Sequence, residues 1–192
     1  MKFRKKLLWS LPLFLLLACN NEGKDSVEKA DSANEARKDN ADSSGAYQVD
    51  AESADFLVKA ANSGMAEVKL GELASQKGTD KKVREMGEMI VRDHAAANDQ
   101  VKQLAAGRNV SLPETIGGSM QHQVEELAGK KGKDFDRAYI SQMIKDHQDA
   151  ISLFKRATEK VNDPDVRTFA NNTLPKLQEH LDSCKVVQKI IN

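Results

Sequence analysis

From residue 51 to the end of the chain, apolar residues recur at alternating steps of three and four, the spacing of helices that bury one face. Glycine, proline and cap residues divide this pattern into four long helices and one short helix. We predict helix one at about 51–77, helix two at 80–107, a short extra helix at 119–131, helix three at 134–161 and helix four at 162–191. Short connections within the first and last pairs make neighbouring helices antiparallel, so the pattern predicts an all-α, up-and-down four-helix bundle.

The segment before residue 51 has a different composition. Residues 20–50 are mainly Asn, Glu, Lys, Asp, Ser and Ala, with Val27 and Val49 almost the only strongly apolar side chains. Such a segment buries too little apolar surface to repay the entropy lost on ordering. We therefore predict a disordered tether, and a transient helix over residues 28–37 would not change this interpretation.

The first residues have the pattern of a bacterial lipoprotein signal. Basic residues at positions 2, 4, 5 and 6 precede an apolar run, 7–17, that is too short to span a bilayer. The run ends Leu-Leu-Ala-Cys, which resembles a lipobox, where the signal is cut before a cysteine that then receives lipid. We predict a signal peptide at 1–18, lipidated Cys19 with its tether up to residue 50, and a folded domain at 51–192. An ordinary secretory signal is the alternative.

This pattern predicts a location in the cell envelope, with the N-terminal lipid as the membrane contact. Asn20, rather than an aspartate, follows the cysteine, which favours the outer membrane. The charge of the chain argues against a nucleic-acid partner, because 29 basic residues balance 29 acidic residues and leave no basic surplus. The oligomeric state and protein partners do not follow from the sequence.

Four polar residues lie near the middle of the four long helices, each on its apolar stripe: Glu67, His94, His147 and His180. Antiparallel packing brings helix midpoints to one level, so we expect these side chains to meet in one buried layer. Imidazole nitrogens and a carboxylate are good ligands for transition metals. The layer is therefore a candidate site for iron, zinc, manganese or copper.

Two aspartates accompany this layer. Asp93 and Asp146 each precede a histidine by one residue, about 100° around the helix, so they do not share its inward direction. We predict that they support the ligands from outside, and pairing with Arg92 and Lys145 at the edge of the bundle is the alternative.

The same layer has a second interpretation without metal. Inward polar residues that satisfy one another would fix the register of the helices, and the protein would then be a non-catalytic structural or interaction module of the envelope. A metal-dependent redox enzyme is a third reading. We favour metal binding for storage, buffering or stress protection, and we assign no catalytic residue.

Four segments together resemble a bacterial family of domains of unknown function, family 4142: ANSGMAEVKLGELAS at 61–75, VRDH at 91–94, FDRAYISQMIKDH at 135–147 and TLPKLQEHL at 173–181. The resemblance implies a ferritin-like bundle and no assigned activity. It also implies that the motif residues are Glu67, Asp93, His94, Asp146, His147 and His180. The paired Glu-x-x-His motifs of ferritin-like di-iron proteins are absent at the midplane, which counts against ferroxidase or oxygen-activating chemistry.

Overall fold

The computed structural model of the chain describes residues 25–41 and 49–192, which form six α-helices and no β-strand. The helices are α1 (Ser26–Ala41), α2 (Ala51–Lys77), α3 (Lys81–Ala106), α4 (Gly118–Gly129), α5 (Gly132–Lys160) and α6 (Pro164–Ile191). No helix in these two ranges is both long enough and apolar enough to cross a bilayer. The predicted signal peptide at 1–18 and Cys19 lie outside the described residues.

Aspartates cap three of the four long helices. Asp50 accepts a hydrogen bond from the backbone N–H of Ser53 at 3.0 Å, and Asp80 accepts from that of Lys82 at 2.7 Å. At α6, Asp163 caps the first turn and proline fills the next position, where no N–H is needed. These local signals explain why the bounds of the four long helices agree closely with those predicted from the sequence.

The long helices form two antiparallel hairpins, α2–α3 and α5–α6. The hairpins join through contacts of α2 with α5 and of α3 with α6, and α4 packs across α2 and α5. This arrangement confirms the predicted four-helix bundle with a short extra helix between its second and third members.

The interior has two apolar clusters along the bundle axis. One contains Phe56, Phe154 and Phe169, while the other contains Tyr139 and Met143. On each long helix one buried polar residue lies between residues of the two clusters: Glu67, His94, His147 and His180. They therefore interrupt an otherwise apolar core.

Helices α2 and α3 approach closely at two glycines. A β-carbon on Gly87 would lie 2.6 Å from the carbonyl oxygen of Gly71 and 2.8 Å from the β-carbon of Ala74. Real side chains do not tolerate such distances, so only glycine fits here. This contact lies about one turn from Glu67 on α2 and two turns from His94 on α3, and it holds those residues close together.

The predicted disordered tether is wrong for Ser26–Ala41, which form α1. This helix docks on the loop after α3, where Asn34 bonds both the carbonyl oxygen (3.0 Å) and the N–H (2.7 Å) of Ser111. Ser26 accepts from the N–H groups of Glu114 and Thr115 at 2.8 and 3.1 Å. Apolar content underestimated the order of this segment because polar side chains dock it by satisfying loop backbone groups.

Candidate metal centre

The four polar residues predicted to meet do so in one buried layer. Glu67 lies on α2, His94 on α3, His147 on α5 and His180 on α6, and none is more than 6% exposed. The centroids of the three imidazole rings are 5.3 to 5.5 Å apart. Helix periodicity and antiparallel packing therefore place all four side chains as the sequence indicated.

His147 has a defined tautomer. Its Nδ1 lies 2.8 Å from the carbonyl oxygen of Met143, one turn earlier on α5. A carbonyl oxygen only accepts hydrogen bonds, so Nδ1 carries the hydrogen and donates it. The Nε2 atom of the neutral ring is left with a lone pair, which faces Nδ1 of His180 at 3.3 Å.

His180 is oriented by Asp93 on α3. Its Nε2 lies 3.0 Å from Oδ2 of Asp93. Burial raises the pKa of Asp93, but hydrogen bonds from His180 and Arg92 outweigh burial and lower it, so the carboxylate is ionised at neutral pH. An ionised carboxylate only accepts, so Nε2 of His180 carries the hydrogen and Nδ1 holds a lone pair. Two imidazole lone pairs therefore face each other across 3.3 Å.

The distance between these nitrogens fits a shared metal ion. A hydrogen bond from nitrogen usually spans about 2.7–3.2 Å, so 3.3 Å is long for one. Zinc binds imidazole nitrogen at about 2.0–2.1 Å, and two such ligands at a tetrahedral angle lie about 3.3–3.4 Å apart. The observed 3.3 Å therefore matches two ligands of one metal ion better than it matches a hydrogen bond.

His94 supplies a third free nitrogen. Its Nδ1 lies 2.9 Å from Oε2 of Glu67, while its Nε2 is buried and has no hydrogen-bond partner among the described residues. One ring nitrogen from each of the three histidines falls within a group whose members are all within 4.8 Å of one another. Each ring thus turns one nitrogen inward and donates from the other, as metal-binding histidines do.

Glu67, the fourth residue of the layer, is joined to the histidines through its contact with His94. Burial raises the pKa of Glu67, but the charge of His94 and its hydrogen bond outweigh burial, and the pKa falls to about 2. Its second oxygen, Oε1, is 3.7 Å from Nδ1 of His147 and has no hydrogen-bond partner among the described residues. The convergent group holds the three histidines without Glu67, whose role as a direct ligand stays a prediction.

The three histidines differ in basicity. Burial lowers the pKa of His180 to about 4 despite its bond to Asp93, and burial also lowers the pKa of His147. At His94 the effect of burial is outweighed by the charge of Glu67, which raises the pKa. At neutral pH the pair on α5 and α6 is therefore uncharged, the form that binds metal.

The two aspartates have different environments. Asp93 bonds to His180 as described, whereas half-buried Asp146 accepts from Gln142 at 2.8 Å. Burial, followed by the charge of Glu67, raises the pKa of Asp146 to about 7. The sequence predicted that both aspartates support the ligands, and nothing in its pattern indicated that Asp93 orients a histidine on another helix.

Two cavities border Glu67. A small one of about 40 Å³ is also lined by His94, His180 and Asp93. A larger one of about 330 Å³ is lined by Asp146 and borders none of the three histidines. The small cavity has room for about one water molecule beside the imidazole nitrogens.

The fold and the layer together define a four-helix bundle with a buried cluster of three histidines. The chain belongs to the family described as domain of unknown function DUF4142, whose model matches residues 38–187. This finding confirms the family indicated by the sequence motifs.

Two solved structures share the fold. The crystal structure of a DUF305 fragment from Deinococcus radiodurans aligns with a TM-score of 0.66 and 13% identity, covering 73% of this chain and 97% of that one. CopM in the Cu(II)-bound form aligns with a TM-score of 0.63 and 18% identity, with the same coverage of both chains. No curated protein matches the chain in sequence.

Proposed function

We propose that this protein binds one transition-metal ion through Nε2 of His94, Nε2 of His147 and Nδ1 of His180. The observation that carries the proposal is the pair of imidazole nitrogens that face each other at 3.3 Å while their other nitrogens donate to Met143 and Asp93. Two facing lone pairs repel each other unless a cation lies between them. A metal ion removes this repulsion and uses both lone pairs.

Hydrogen counting argues against a layer that only fixes helix register. Three neutral imidazoles carry three N–H groups, and the acceptors are Met143 O, Asp93 and Glu67. His94, whose pKa is raised, can take a proton on Nε2, but no N–H remains for the facing nitrogens of His147 and His180. A further proton on the α5–α6 pair is disfavoured, because burial lowers the pKa of both histidines. A layer built for mutual satisfaction would not leave this surplus of acceptors.

The surrounding charges suit a divalent ion. Glu67 and Asp93 are both ionised, and each accepts a hydrogen bond from a ligand histidine. Glu67 supplies one negative charge toward a doubly charged metal held by three neutral rings, and Asp93 supplies a second that is partly offset by Arg92. Such carboxylate–histidine–metal chains also raise the basicity of the ligands.

Among divalent ions, Cu(II) and Zn(II) fit three imidazole nitrogens best, and Cu(II) binds most tightly in the usual order of affinities. The Cu(II)-bound form of CopM, which shares this fold at 18% identity, supports testing copper first. The small cavity beside His94 and His180 leaves room for water as a fourth ligand.

The proposed role is storage or buffering of this metal in the cell envelope. The lipobox-like Leu-Leu-Ala-Cys sequence supports a lipid anchor at Cys19, a residue outside the described ranges. If the anchor is correct, Cys19→Ser releases the protein from the membrane fraction. Retention of the variant in that fraction would contradict the anchor and leave the metal proposal unaffected.

Isothermal titration of the full-length chain, in detergent and without a histidine tag, tests metal binding. We expect one Cu(II) or Zn(II) per chain. His147→Ala and His180→Ala should each weaken binding by more than the roughly 10- to 100-fold that the loss of an orienting partner costs.

His122 on α4 provides the matched control, because it is an exposed histidine outside the layer. His122→Ala should bind as the wild type does. A wild type that binds neither ion, or an equal loss in the His122 variant, would exclude the three-histidine site.

A further inference from the structure

Glu67 lines the larger cavity and has one carboxylate oxygen, Oε1, that accepts no hydrogen bond in the histidine layer and lies 3.7 Å from Nδ1 of His147. Glu67 is 3% exposed, and its Oε1 atom has no hydrogen bond to any described residue. The residue lines the cavity of about 330 Å³. A buried carboxylate oxygen without a partner is costly, so a ligand that supplies positive charge would be favoured here.

A second carboxylate lines the same cavity. Asp146 uses Oδ1 to accept from Gln142 at 2.8 Å, and its Oδ2 has no hydrogen bond or ion pair among the described contacts. Ser63 and Gln123 also line this cavity and add neutral oxygen atoms. Four side chains that carry oxygen atoms, two of them carboxylates, therefore line one space.

The basic residues around the cavity do not neutralise this pair. Lys145 pairs with Asp149 at 2.8 Å, and Lys59 pairs with Asp55 at 2.7 Å. Arg156 also borders the cavity, but it lies ten residues beyond Asp146 along α5, about 15 Å away along the axis. Glu67 is paired with His94 through Oε2, whereas no ion pair of Asp146 is found among the described residues.

We propose that Glu67 Oε1 and Asp146 hold a hard divalent cation in this cavity, at a second metal site separate from the three histidines. Carboxylate, hydroxyl and amide oxygens favour Mn²⁺, Mg²⁺ or Ca²⁺ over softer ions. The volume leaves space for the several waters that such ions keep. Glu67 then serves both sites, with Oε2 orienting His94 and Oε1 binding the second ion.

Titration of the full-length chain with Mn²⁺ tests this site. Binding is measured by electron paramagnetic resonance as the loss of the signal of free Mn²⁺. We expect one Mn²⁺ per chain, and Asp146→Asn, which keeps the size of the side chain, should weaken binding by about tenfold or more. Asp149→Asn is the matched control, because Asp149 lines the same cavity but is exposed and paired with Lys145. It should bind within about twofold of the wild type.

The His147→Ala variant separates this site from the histidine site. It should lose Cu(II) or Zn(II) and retain Mn²⁺ binding that depends on Asp146, with folding checked by circular dichroism. A folded wild type that binds no Mn²⁺ would overturn the second site, as would equal losses in the two aspartate variants. Neither result would bear on the histidines, and a chain that binds Mn²⁺ but neither Cu(II) nor Zn(II) would overturn only the histidine site.

Discussion

The two hairpins of the bundle contribute chemically different halves of the candidate metal centre. Hairpin α2–α3 supplies Glu67 and His94, joined at 2.9 Å, and the charge of Glu67 outweighs burial and raises the pKa of His94. Hairpin α5–α6 supplies His147 and His180, and burial lowers the pKa of both. One half is an acid–base pair, and the other is a pair of neutral rings.

The hairpins also differ in how closely their helices pack. Gly71 and Gly87 bring α2 and α3 together, whereas α6 contains no glycine and α5 only Gly132 at its start. One turn from their histidines, α5 and α6 carry Met143 and Cys184 in place of glycine, and these helices contact each other less extensively than α2 and α3 do. The two hairpins therefore have different roles. The tight hairpin, α2–α3, orients one ring, while the wider hairpin, α5–α6, leaves room for an ion between two rings.

The largest expected effect is on the rise in melting temperature that metal causes, and it distinguishes the ligand His180 on the wide hairpin from the orienting residue Glu67 on the tight one. At 100 times its dissociation constant, a metal ion should stabilise the wild type by about 2.7 kcal/mol, a rise in melting temperature on the order of 10 °C. His180→Ala should remove this rise. Glu67→Gln keeps an acceptor for His94, so a 10- to 100-fold loss of affinity should leave about 0.4–1.4 kcal/mol.

Differential scanning calorimetry of the three proteins, each with and without copper or zinc at one fixed concentration, provides the measurement. The metal-free samples show the stability effect of each substitution alone. If Glu67→Gln loses the rise as completely as His180→Ala does, the two hairpins do not differ in the way described.

A second prediction concerns a substitution that forces the two helices of the tight hairpin apart. Gly87→Ala places a β-carbon against the carbonyl oxygen of Gly71, at 2.6 Å before any relaxation, so α2 and α3 must move apart. We expect a loss of about 2–3 kcal/mol in the free energy of unfolding, measured with urea. Metal affinity should fall as well, because the shift displaces His94 from Glu67.

Gly129, at the end of α4, is the control for this substitution, since a β-carbon there would meet no atom within 4 Å. Gly129→Ala should leave stability within about 1 kcal/mol of the wild type, with any change toward higher stability. A Gly87→Ala protein as stable as the wild type would show that the helices do not depend on this close approach.

The positions of the site residues could be predicted from the sequence, but their hydrogen-bond partners could not. The four-three spacing around His94, His147 and His180 determines which face of each helix is buried, and short connections determine the level, so the meeting of these residues was predictable. Hydrogen-bond partners were not. Asp93 is adjacent to His94 in sequence but orients His180 on α6, because the packing of α3 on α6 decides which ring lies beside it.

A third prediction uses pH to test the neutral pair. A histidine whose pKa is lower in the folded than in the unfolded chain has no effect on stability above about pH 6.5, and it destabilises the fold increasingly as pH falls toward the folded value. The contribution of His180, with a folded pKa of about 4, should fall by about 2 kcal/mol between pH 7 and pH 4.5 in the metal-free protein. Asp146, whose pKa is raised to about 7, changes stability in the opposite direction, and it does so equally in wild type and His180 variant.

The tight hairpin should not produce this loss. The pKa of His94 is raised, so its contribution is fully present below about pH 6.5, and the pKa of Glu67 is lowered to about 2, so its contribution fades only below about pH 4.5. Urea unfolding across this pH range should show a smaller loss in His180→Gln and an unchanged one in His122→Gln. Equal pH dependence in all three proteins would contradict the assignment to the α5–α6 pair.

The smallest expected effect concerns α1, which docks near the end of hairpin α2–α3 and away from the metal centre. Asn34 is 7% exposed and satisfies both backbone groups of Ser111, so Asn34→Ala should weaken docking by about 1–2 kcal/mol. Hydrogen exchange at the Ser111 amide should accelerate about 5- to 30-fold. Exposed Glu35, the next residue on α1, offers the control Glu35→Ala, with a change within about 0.5 kcal/mol. Because neither side chain reaches the histidine layer, the metal-induced rise in melting temperature should be the same in both variants, and a reduced rise in Asn34→Ala would show that α1 is coupled to the site.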